Sequence, residues 1–431
     1  MPSADVVILG AGIVGVSAAL HTQATGRSVV LLDRRGAAGL ETSFGNAGII
    51  ERASIFPYLF PRDPKKLWRY ALNLLPEAHY HLSAAPTVLP WLWRYYRECA
   101  PEHVAQIVSA QRPLIENSLS EHEKLIEAAG AGALLRRTGW IKLYRQEATL
   151  HAADAEADRL RAYGLTVDRL DARGLAALEP DLAPLAGGLH YRDPASISDP
   201  GALTQAYTEL FIARGGRLLA GDARSLEETG GGWRVTTADG PLAARDAVVA
   251  LGPWSDLVFR PLGYDLPLAV KRGYHMHYAA RGGARLSRPV LDADTGYVLA
   301  PMNQGVRLTS GAEFALRDAA PTPVQIDRVE PVARALFPLG ERLDPTPWMG
   351  CRPCLPDMLP VVGPAPRHKG LWFNFGHQHH GLTLGPATGR LLAEMMSGAA
   401  PFTDPAPYRA ERFSSPQGRS RHGFSRGPAT V

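Results

Sequence analysis

The stretch VVILGAGIVG, residues 6–15, decides the fold of this chain. An apolar run typical of a strand leads directly into Gly10, Gly12 and Gly15, and an apolar stretch to Leu20 continues with helical character. In such a unit the first glycine permits a tight turn, the second lets backbone amides approach a pyrophosphate, and the third lets the helix pack on the strand. The pattern predicts a dinucleotide site.

The next segment completes this unit. An apolar strand over residues 28–32 ends at Asp33, 18 residues after Gly15. A carboxylate at this point can accept hydrogen bonds from a ribose hydroxyl, while the helix N-terminus offers partial positive charge to a diphosphate. Because strand, glycines, helix, strand and acid arrive in order, an ordinary glycine turn is the weaker interpretation.

Composition limits the class of protein. The 431 residues suggest two domains, and 45% hydrophobic with 20% charged residues is typical of a globular protein. The net charge of +4 is small and dispersed, which disfavours nucleic acid as a partner. Three cysteines argue against a disulfide framework and for a reducing compartment. With neither a signal-peptide pattern nor ~18 consecutive apolar residues, we expect a cytoplasmic protein.

Two later segments look like further pieces of the nucleotide-binding unit. Residues 247–251 form a fully apolar strand, which fits a buried parallel sheet, and run into a Gly-Pro-Trp-Ser turn. Residues 371–375 form another such strand, followed by a loop rich in glycine and histidine and a helix from about Pro386 to Ser397. Elsewhere the pattern predicts helices at 105–130, 147–163 and 199–214, and strands at 139–145, 267–280, 297–301 and 305–313.

Four more segments carry a family resemblance: ETSFGNAGII (41–50), WLWRYYRECAP (91–101), GCRPCLPDMLPVVG (350–363) and FGHQHHGLTLGPATGRLLAEM (375–395). With them, the chain resembles the D-amino-acid oxidase superfamily of FAD enzymes over about residues 5–408. Within it, the chain is most similar to bacterial D-amino-acid and D-hydroxyproline dehydrogenases. An NAD-dependent enzyme fits less well, because it would not explain the second glycine-rich segment near the C-terminus.

The resemblance and the ordering of the units imply an α/β fold with two discontinuous domains. A doubly wound, Rossmann-like FAD-binding domain would comprise residues 1–54, 196–261 and 348–408. A mixed-sheet substrate domain with an aromatic-rich helical insert would comprise residues 55–195 and 262–347. The polar, basic tail, residues 409–431, is expected to be disordered.

The resemblance also implies a set of cofactor contacts. FAD should be bound noncovalently, because no clear attachment motif for a histidine-linked flavin is present. The expected FAD-binding residues are Gly10, Gly12, Ile13, Val14, Gly15, Asp33, Arg34, Ser43, Asn46, Ala47, Gly48, Ala223, Gly252, Trp254, Gly376, Gly381, Leu382 and Thr383.

Four side chains are candidates for the catalytic site. Arg352 is the strongest, because a planar guanidinium can hold a substrate carboxylate through two parallel hydrogen bonds. A structural ion pair is its alternative role. Tyr274 and Tyr297 lie on predicted strands of the second sheet and could equally be ordinary sheet residues, and His377 could border the flavin or the substrate.

Other motifs have weaker functional interpretations. His377, His379 and His380 are close in sequence, but no carboxylate or cysteine has metal-ligand spacing to them, so we predict no metal. Cys351 and Cys354 lack the helix that a redox motif needs and are expected to be incidental neighbours of Arg352.

The implied reaction is oxidation of a D-amino acid, or of a cyclic relative such as hydroxy-D-proline, to an imino acid. Electrons would pass to quinone, a dye or oxygen. The tryptophans and basic residues of segment 55–104 suit either a peripheral membrane contact or packing and an oligomer contact. A glycine- or sarcosine-type oxidase, and a flavin-containing scaffold subunit of a larger dehydrogenase, remain alternatives.

Overall fold

The structure is a computed structural model, and it describes residues 3–413. Its strands are β1 (Ser3–Leu9), β2 (Val29–Asp33), β3 (Ile49–Ile50), β4 (Ala78–Tyr80), β5 (Leu135–Arg136), β6 (Trp140–Tyr144), β7 (Val167–Asp171), β8 (Gly187–Tyr191), β9 (Ala195–Ile197), β10 (Arg217–Thr229), β11 (Gly232–Thr237), β12 (Gly240–Val249), β13 (Ala269–Ala280), β14 (Val290–Asp292), β15 (Tyr297–Met302), β16 (Gly305–Thr309), β17 (Ala312–Phe314), β18 (Leu339–Arg342), β19 (Trp348–Cys354), β20 (Val361–Pro364) and β21 (Leu371–Phe375).

The α-helices are α1 (Ile13–Ala24), α2 (Pro64–Ala71), α3 (Ala85–Glu98), α4 (Pro101–Ala128), α5 (Glu147–Ala152), α6 (Asp154–Ala162), α7 (Ala172–Leu178), α8 (Pro200–Ala213), α9 (Asp256–Phe259), α10 (Val324–Leu336) and α11 (Gly381–Ser397). Short 3₁₀ helices are found at Leu82–Ala84, Gly132–Leu134, Gly252–Trp254, Arg281–Gly283, Ala406–Tyr408 and Ala410–Phe413.

The first sheet combines the two ends of the chain with its middle. Its parallel core runs β10-β2-β1-β12-β21, and β20 adds antiparallel to β21. Successive residues of β1 alternate between two cores, since Val6 and Ile8 pack in one cluster while Val7 and Leu9 pack in the other. Both faces are therefore buried, as the apolar strands predicted, and the α/β fold class is confirmed.

The second sheet is mixed and larger. Within the described residues its order is β4-β17-β13-β16-β15-β14-β6-β8-β7, and β18 and β19 also pair with β13. Strand β19 pairs antiparallel with β13 from Ala269↔Cys354 to His275↔Trp348. Residues 348–354 were predicted to belong to the FAD-binding domain; this boundary is wrong, because their backbone hydrogen bonds belong to the second sheet. A small sheet, β3-β9-β5, completes the strands described.

Two helices cross closely over the first sheet. A Cβ on Gly389 would lie 2.8 Å from the backbone of Ser17, and one on Gly385 would lie 3.3 Å from the Ile13 carbonyl oxygen. Glycine at these positions of α11 therefore lets it approach α1 closely, which brings the N-termini of both helices to the same place.

Several predicted elements form as expected and others are divided. Helix α8 begins after Asp199, whose Oδ1 accepts a hydrogen bond from the Ala202 N–H at 2.9 Å. The helix predicted over 147–163 is two helices, α5 and α6, and the strand predicted over 305–313 is broken at Gly311 between β16 and β17. A Cβ at Gly311 would lie 2.1 Å from the Glu77 carbonyl oxygen, so a neighbouring segment crosses the strand there.

The predicted disordered tail begins too early. Residues Ala410–Phe413 form a 3₁₀ helix, Ala410 is buried, and Arg412 makes an ion pair with Asp357 at 2.7 Å. These contacts correct the prediction for residues 409–413; residues 414–431 lie outside the described part of the chain. Among residues 3–413, none of the helices combines the length and apolar character needed to cross a bilayer.

Candidate active site

A cavity of about 1480 Å³ is lined by residues of both large sheets. Its wall includes the turn after β1, the end of β2, the loop 41–47, strands β13 and β19, and the first turn of α11. Pockets for a single small ligand typically measure ~300–1,000 Å³. This cavity is large enough for a dinucleotide together with a substrate.

The glycine turn has the geometry that its sequence predicts. Gly10 has a φ of +104°, and a Cβ there would lie 2.6 Å from the Ala250 carbonyl oxygen. A Cβ on Gly15 would lie 1.9 Å from the Gly10 carbonyl oxygen, so the third glycine sets the contact between helix and turn. Asp33 Oδ2 accepts a hydrogen bond from the Ala11 N–H at 3.2 Å and lines the cavity beside Gly12.

Helix α11, whose N-terminus also borders the cavity, begins earlier in the chain than predicted. Helix α11 begins at Gly381, so the prediction that it opens near Pro386 is wrong. Pro386 lacks an N–H, which leaves the Leu382 carbonyl without its helical donor. His122 Nε2 replaces this donor at 2.6 Å, and its Nδ1 lies 2.9 Å from the Tyr207 hydroxyl. Gly381, Leu382 and Thr383 consequently form a first turn that lines the cavity.

The loop 41–47 is held from behind by a buried arginine that the sequence analysis missed. The Arg307 guanidinium donates to the carbonyl oxygens of Phe44 and Asn46, and its Nε donates to His277 Nε2 at 2.9 Å. His277 Nδ1 in turn lies 2.8 Å from Asp344 Oδ2. Burial lowers the pKa of Arg307 to about 10, so the group stays cationic and holds the loop at neutral pH.

Arg352 reaches the cavity from β19. Its guanidinium lies over Gly273, where a Cβ would be only 2.4 Å from Nη2, and its Nη1 donates to the Gly311 carbonyl at 2.9 Å. Within residues 3–413 it forms no ion pair, so the alternative structural role predicted for it is absent there. Burial lowers the pKa of Arg352 from its usual value, as expected for a cation without a counter-charge.

Comparison with known proteins now decides the family. Residues 5–395 match the family described as "FAD dependent oxidoreductase". The chain belongs to this family of FAD-dependent oxidoreductases.

Individual relatives agree with this assignment. The chain is 32% identical over 417 residues to a protein named D-amino-acid oxidase from Bradyrhizobium diazoefficiens, covering 95% of this chain and 98% of the relative. It is 32% identical over 445 residues to a D-amino acid dehydrogenase from Cereibacter sphaeroides, covering 98% and 99%. The fold is similar to glycine oxidase from Geobacillus kaustophilus, with a TM-score of 0.74, 23% identity and coverage of 96% and 99%.

The cavity fits FAD on observations independent of this match. The N-termini of α1 and α11 both border it, and a Cβ on Gly381 would lie 3.9 Å from Val14. Helix N-termini favour negative charge, which suits a diphosphate and a reduced flavin. Both side-chain polar atoms of Asn374, another lining residue, are buried without a hydrogen-bond partner in the described chain. A polar ligand that fills the cavity would satisfy them.

Most predicted cofactor residues meet in this cavity, and three do not line it. Arg34 lies over the Trp254 ring at 5.0 Å, and Ser43 Oγ accepts from the Ile13 N–H at 3.0 Å. The predicted cofactor residues that line the cavity are Gly10, Gly12, Ile13, Val14, Asp33, Arg34, Ser43, Asn46, Ala47, Ala223, Gly252, Trp254, Gly381, Leu382 and Thr383. Those that do not are Gly15, Gly48 and Gly376.

At these three positions a side chain would collide with neighbouring parts of the chain. A Cβ on Gly48 would lie 2.3 Å from the Ile197 carbonyl oxygen, and one on Gly376 would lie 2.4 Å from Leu355. Both residues also have positive φ, +79° and +85°. These glycines therefore allow close backbone and side-chain approaches next to the cavity, and their contact with the cofactor stays a prediction.

The other three candidate catalytic side chains have different surroundings. The Tyr274 hydroxyl donates to Glu313 at 2.7 Å and accepts from Arg272 Nη2 at 3.0 Å and from the Thr322 N–H at 2.9 Å. A phenol makes no more than one donated and about two accepted hydrogen bonds, so this hydroxyl is saturated. The Tyr274 hydroxyl therefore supports the buried Arg272–Glu313 pair. Tyr274 also lines the cavity, and its role in catalysis stays a prediction.

His377 and Tyr297 stay predictions as site residues. Both line the cavity and both are buried. Burial lowers the pKa of His377 to about 3, and its Nε2 lies 3.0 Å from the Thr388 hydroxyl. Since Thr388 donates to the Leu384 carbonyl, His377 is neutral and donates through Nε2. Burial, followed by the charge of Asp292, raises the pKa of Tyr297, which keeps its hydroxyl protonated.

Two of the charged residues that line the cavity, Glu51 and Lys271, are important for the site and were not predicted from the sequence. Glu51 directly follows β3, and its N–H donates to Thr383 Oγ1 at 3.1 Å, which ties it to the first turn of α11. Lys271 faces Arg352 across the β13–β19 pair. Each had a signal in the sequence: Glu51 follows the predicted flavin loop without a gap, and Lys271 directly follows an apolar run at residues 266–270.

Proposed function

We propose that the protein oxidises D-amino acids to imino acids with noncovalently bound FAD as the hydride acceptor. The observation that carries the proposal is the Arg352 guanidinium, which borders the cavity without a carboxylate partner among the described residues. The names of the two curated relatives, at 32% identity over nearly the whole chain, support a D-amino acid as substrate.

Arg352 would bind the α-carboxylate. One N–H edge of its guanidinium already bonds the Gly311 carbonyl, and the remaining donors are available for a planar, two-point contact. This contact fixes the rotation of the substrate about its carboxylate and so orients the Cα–H bond. FAD, when bound, supplies a hydride acceptor for the electron pair of that bond.

Glu51 would accept the proton of the substrate nitrogen. Its Oε2 is buried without a hydrogen-bond partner in the described chain, and the residue lines the cavity. As the Cα–H bond breaks, the nitrogen loses one proton and a C=N bond forms. Water then adds to the imino acid and releases ammonia, leaving a 2-oxo acid.

An anaerobic spectrum tests the proposed function directly. The purified, FAD-loaded protein should lose its flavin absorbance near-completely with at least one D-amino acid and not with the L-enantiomer. Acid precipitation should release the flavin into the supernatant, as noncovalent binding requires. Absence of bleaching across a panel that includes D-proline and hydroxy-D-proline would contradict the proposal.

Glu51 predicts a pH dependence. Burial raises the pKa of this carboxyl to about 7, against smaller opposing effects of Ser54, Trp140 and the Ala53 backbone. A proton acceptor works only when ionised, so kcat/KM should rise as the pH increases through about 7. In Glu51→Gln this rise should move to the pKa of the free substrate ammonium, while the bound FAD is retained.

The same residue predicts a change in stability. The Glu51 carboxyl has a pKa of 4.5 in the unfolded state and of about 7 in the folded state. Between these two pH values the unfolded state loses this proton and the folded state keeps it, so folding becomes less favourable as the pH rises. In urea unfolding, the gain in free energy of unfolding of Glu51→Gln over wild type should therefore be larger at pH 8 than at pH 5. Equal pH profiles of activity and stability for both proteins would exclude Glu51 as the acceptor.

The electron acceptor is proposed to be a membrane quinone. The insert exposes a set of large apolar side chains, with Trp68 at 67% and Leu82 at 77%, next to Lys65 and Arg69. This combination is typical of helices that lie on anionic membranes. The protein should sediment with anionic vesicles, and should reduce a quinone analogue faster than it consumes oxygen. Formation of dimers without vesicle binding would assign the surface to a second copy instead.

A further inference from the structure

Two cations lie side by side in the substrate part of the cavity. Lys271 on β13 and Arg352 on β19 are direct partners in an antiparallel pair, and both line the cavity. Side chains directly opposite each other in such a pair project from the same face of the sheet. Both cations therefore act on whatever molecule lies against this face.

Neither cation is neutralised by the described protein. Within residues 3–413 no carboxylate forms an ion pair with Lys271 or Arg352. The nearby thiol of Cys354 is no counter-charge, because burial raises its pKa above the usual value. Buried charges without partners are costly, so anions are expected here.

The two cations address separate anionic groups. The Arg352 guanidinium leans over Gly273, two residues along β13 from Lys271. The Lys271 Nζ lies instead among three rings, 5.1 Å from the centre of Trp91, 4.4 Å from Tyr95 and 5.8 Å from Phe314. These rings hold the ammonium in place by cation–π attraction without neutralising it.

From this arrangement we propose that the substrate is an amino dicarboxylic acid, D-glutamate or D-aspartate, whose second carboxylate pairs with Lys271. The inference rests on the proposed function, in which Arg352 holds the α-carboxylate. It explains a feature that a small neutral substrate leaves unexplained, namely a caged lysine without a counter-ion. A neutral D-amino acid would leave that ammonium unpaired, and such a site rejects it strongly.

The test compares isosteric substrates. With the FAD-loaded enzyme, kcat/KM for D-glutamate should exceed that for D-glutamine by about 100-fold or more. Lys271→Met keeps an apolar side chain among the three rings, and it should lower kcat/KM for D-glutamate by about 100-fold. The same variant should not lower kcat/KM for D-glutamine, because it removes the ammonium that this neutral side chain leaves unpaired.

A matched control is Lys142→Met. Lys142 also lines the cavity, but Glu156 already neutralises it, with Nζ–O distances of 2.7 and 3.0 Å. This variant should leave the ratio of D-glutamate to D-glutamine unchanged. Lys271→Arg, which keeps the charge, should retain most of the preference if Lys271→Met fails to fold.

A binding measurement separates this inference from the proposed function. Glutarate and pentanoate, which have no amine and cannot be oxidised by this route, are titrated into the holoenzyme while the flavin absorbance is followed. Glutarate should bind at least tenfold more tightly, and Lys271→Met should remove the difference. If no D-amino acid bleaches the flavin but glutarate is still preferred, the proposed reaction is wrong and the dicarboxylate site stands.

Equal oxidation of D-glutamate and D-glutamine, or an equal loss of both activities in Lys271→Met, would overturn the inference.

Discussion

Arg352→Met should lower kcat/KM for the best D-amino acid by about 1000-fold. Two charge-assisted hydrogen bonds to a carboxylate are together worth roughly 4 kcal/mol, which corresponds to this factor. Arg352→Lys keeps the charge but loses the planar, two-point contact, so it should recover only part of the loss. The bound flavin should remain, because Arg352 is assigned to the substrate rather than to the cofactor.

Steady-state kinetics with a pair of substrates checks this assignment. The α-amide of the same amino acid lacks the carboxylate, and it should already react slowly with wild type and lose little more in Arg352→Met. Arg192→Met is a control, since Arg192 is exposed and lies 3.6 Å from Asp168. A variant of Arg352 with unchanged kinetics toward the acid would show that another group holds the carboxylate.

Gly15→Ala should abolish stable FAD binding. The new Cβ would lie 1.9 Å from the Gly10 carbonyl oxygen, and Gly10 itself has a φ of +104°. The turn is also confined by Ala250 behind it, so helix α1 must move away from the sheet. We expect the free energy of unfolding to fall by about 3 kcal/mol. The protein should elute from gel filtration without flavin absorbance.

Gly231→Ala provides the comparison. Nothing lies within 4 Å of a Cβ at Gly231, and its φ is not positive. This variant should keep one FAD per chain and the unfolding midpoint of wild type in urea. If Gly15→Ala also kept its FAD and the unfolding midpoint of wild type, the close contact between Gly15 and Gly10 would not be essential for the turn.

Much of the fold could be read from local patterns. The apolar strands 28–32, 247–251 and 371–375 correspond to β2, the end of β12 and β21, all in the first sheet. They were predictable because a strand buried on both faces must be apolar at every position. Boundaries that depend on a remote partner were not predictable. Strand β19 joins the second sheet through β13, and only the pairing of those two strands reveals it.

For the candidate site too, the sequence reveals suitable residue types, whereas their roles depend on tertiary contacts. Tyr274 is a suitable catalytic residue by its type and its strand, but its hydroxyl is saturated by Arg272, Glu313 and Thr322. Glu51 has no feature of sequence that raises its pKa, because the burial that does so comes from packing. The roles of polar side chains depend on their partners, which lie far away along the chain.

By itself, the sequence determined the dinucleotide turn, the acid that follows it and the presence of a second glycine-rich segment. These are local properties, because glycine sterics and the alternation of apolar residues act over a few positions. Only the tertiary structure decided that α11 starts at Gly381, since His122 supplies the hydrogen bond that Pro386 cannot. It alone also placed Lys271 beside Arg352, because the register that pairs residues more than 70 positions apart is fixed by packing and long-range hydrogen bonds.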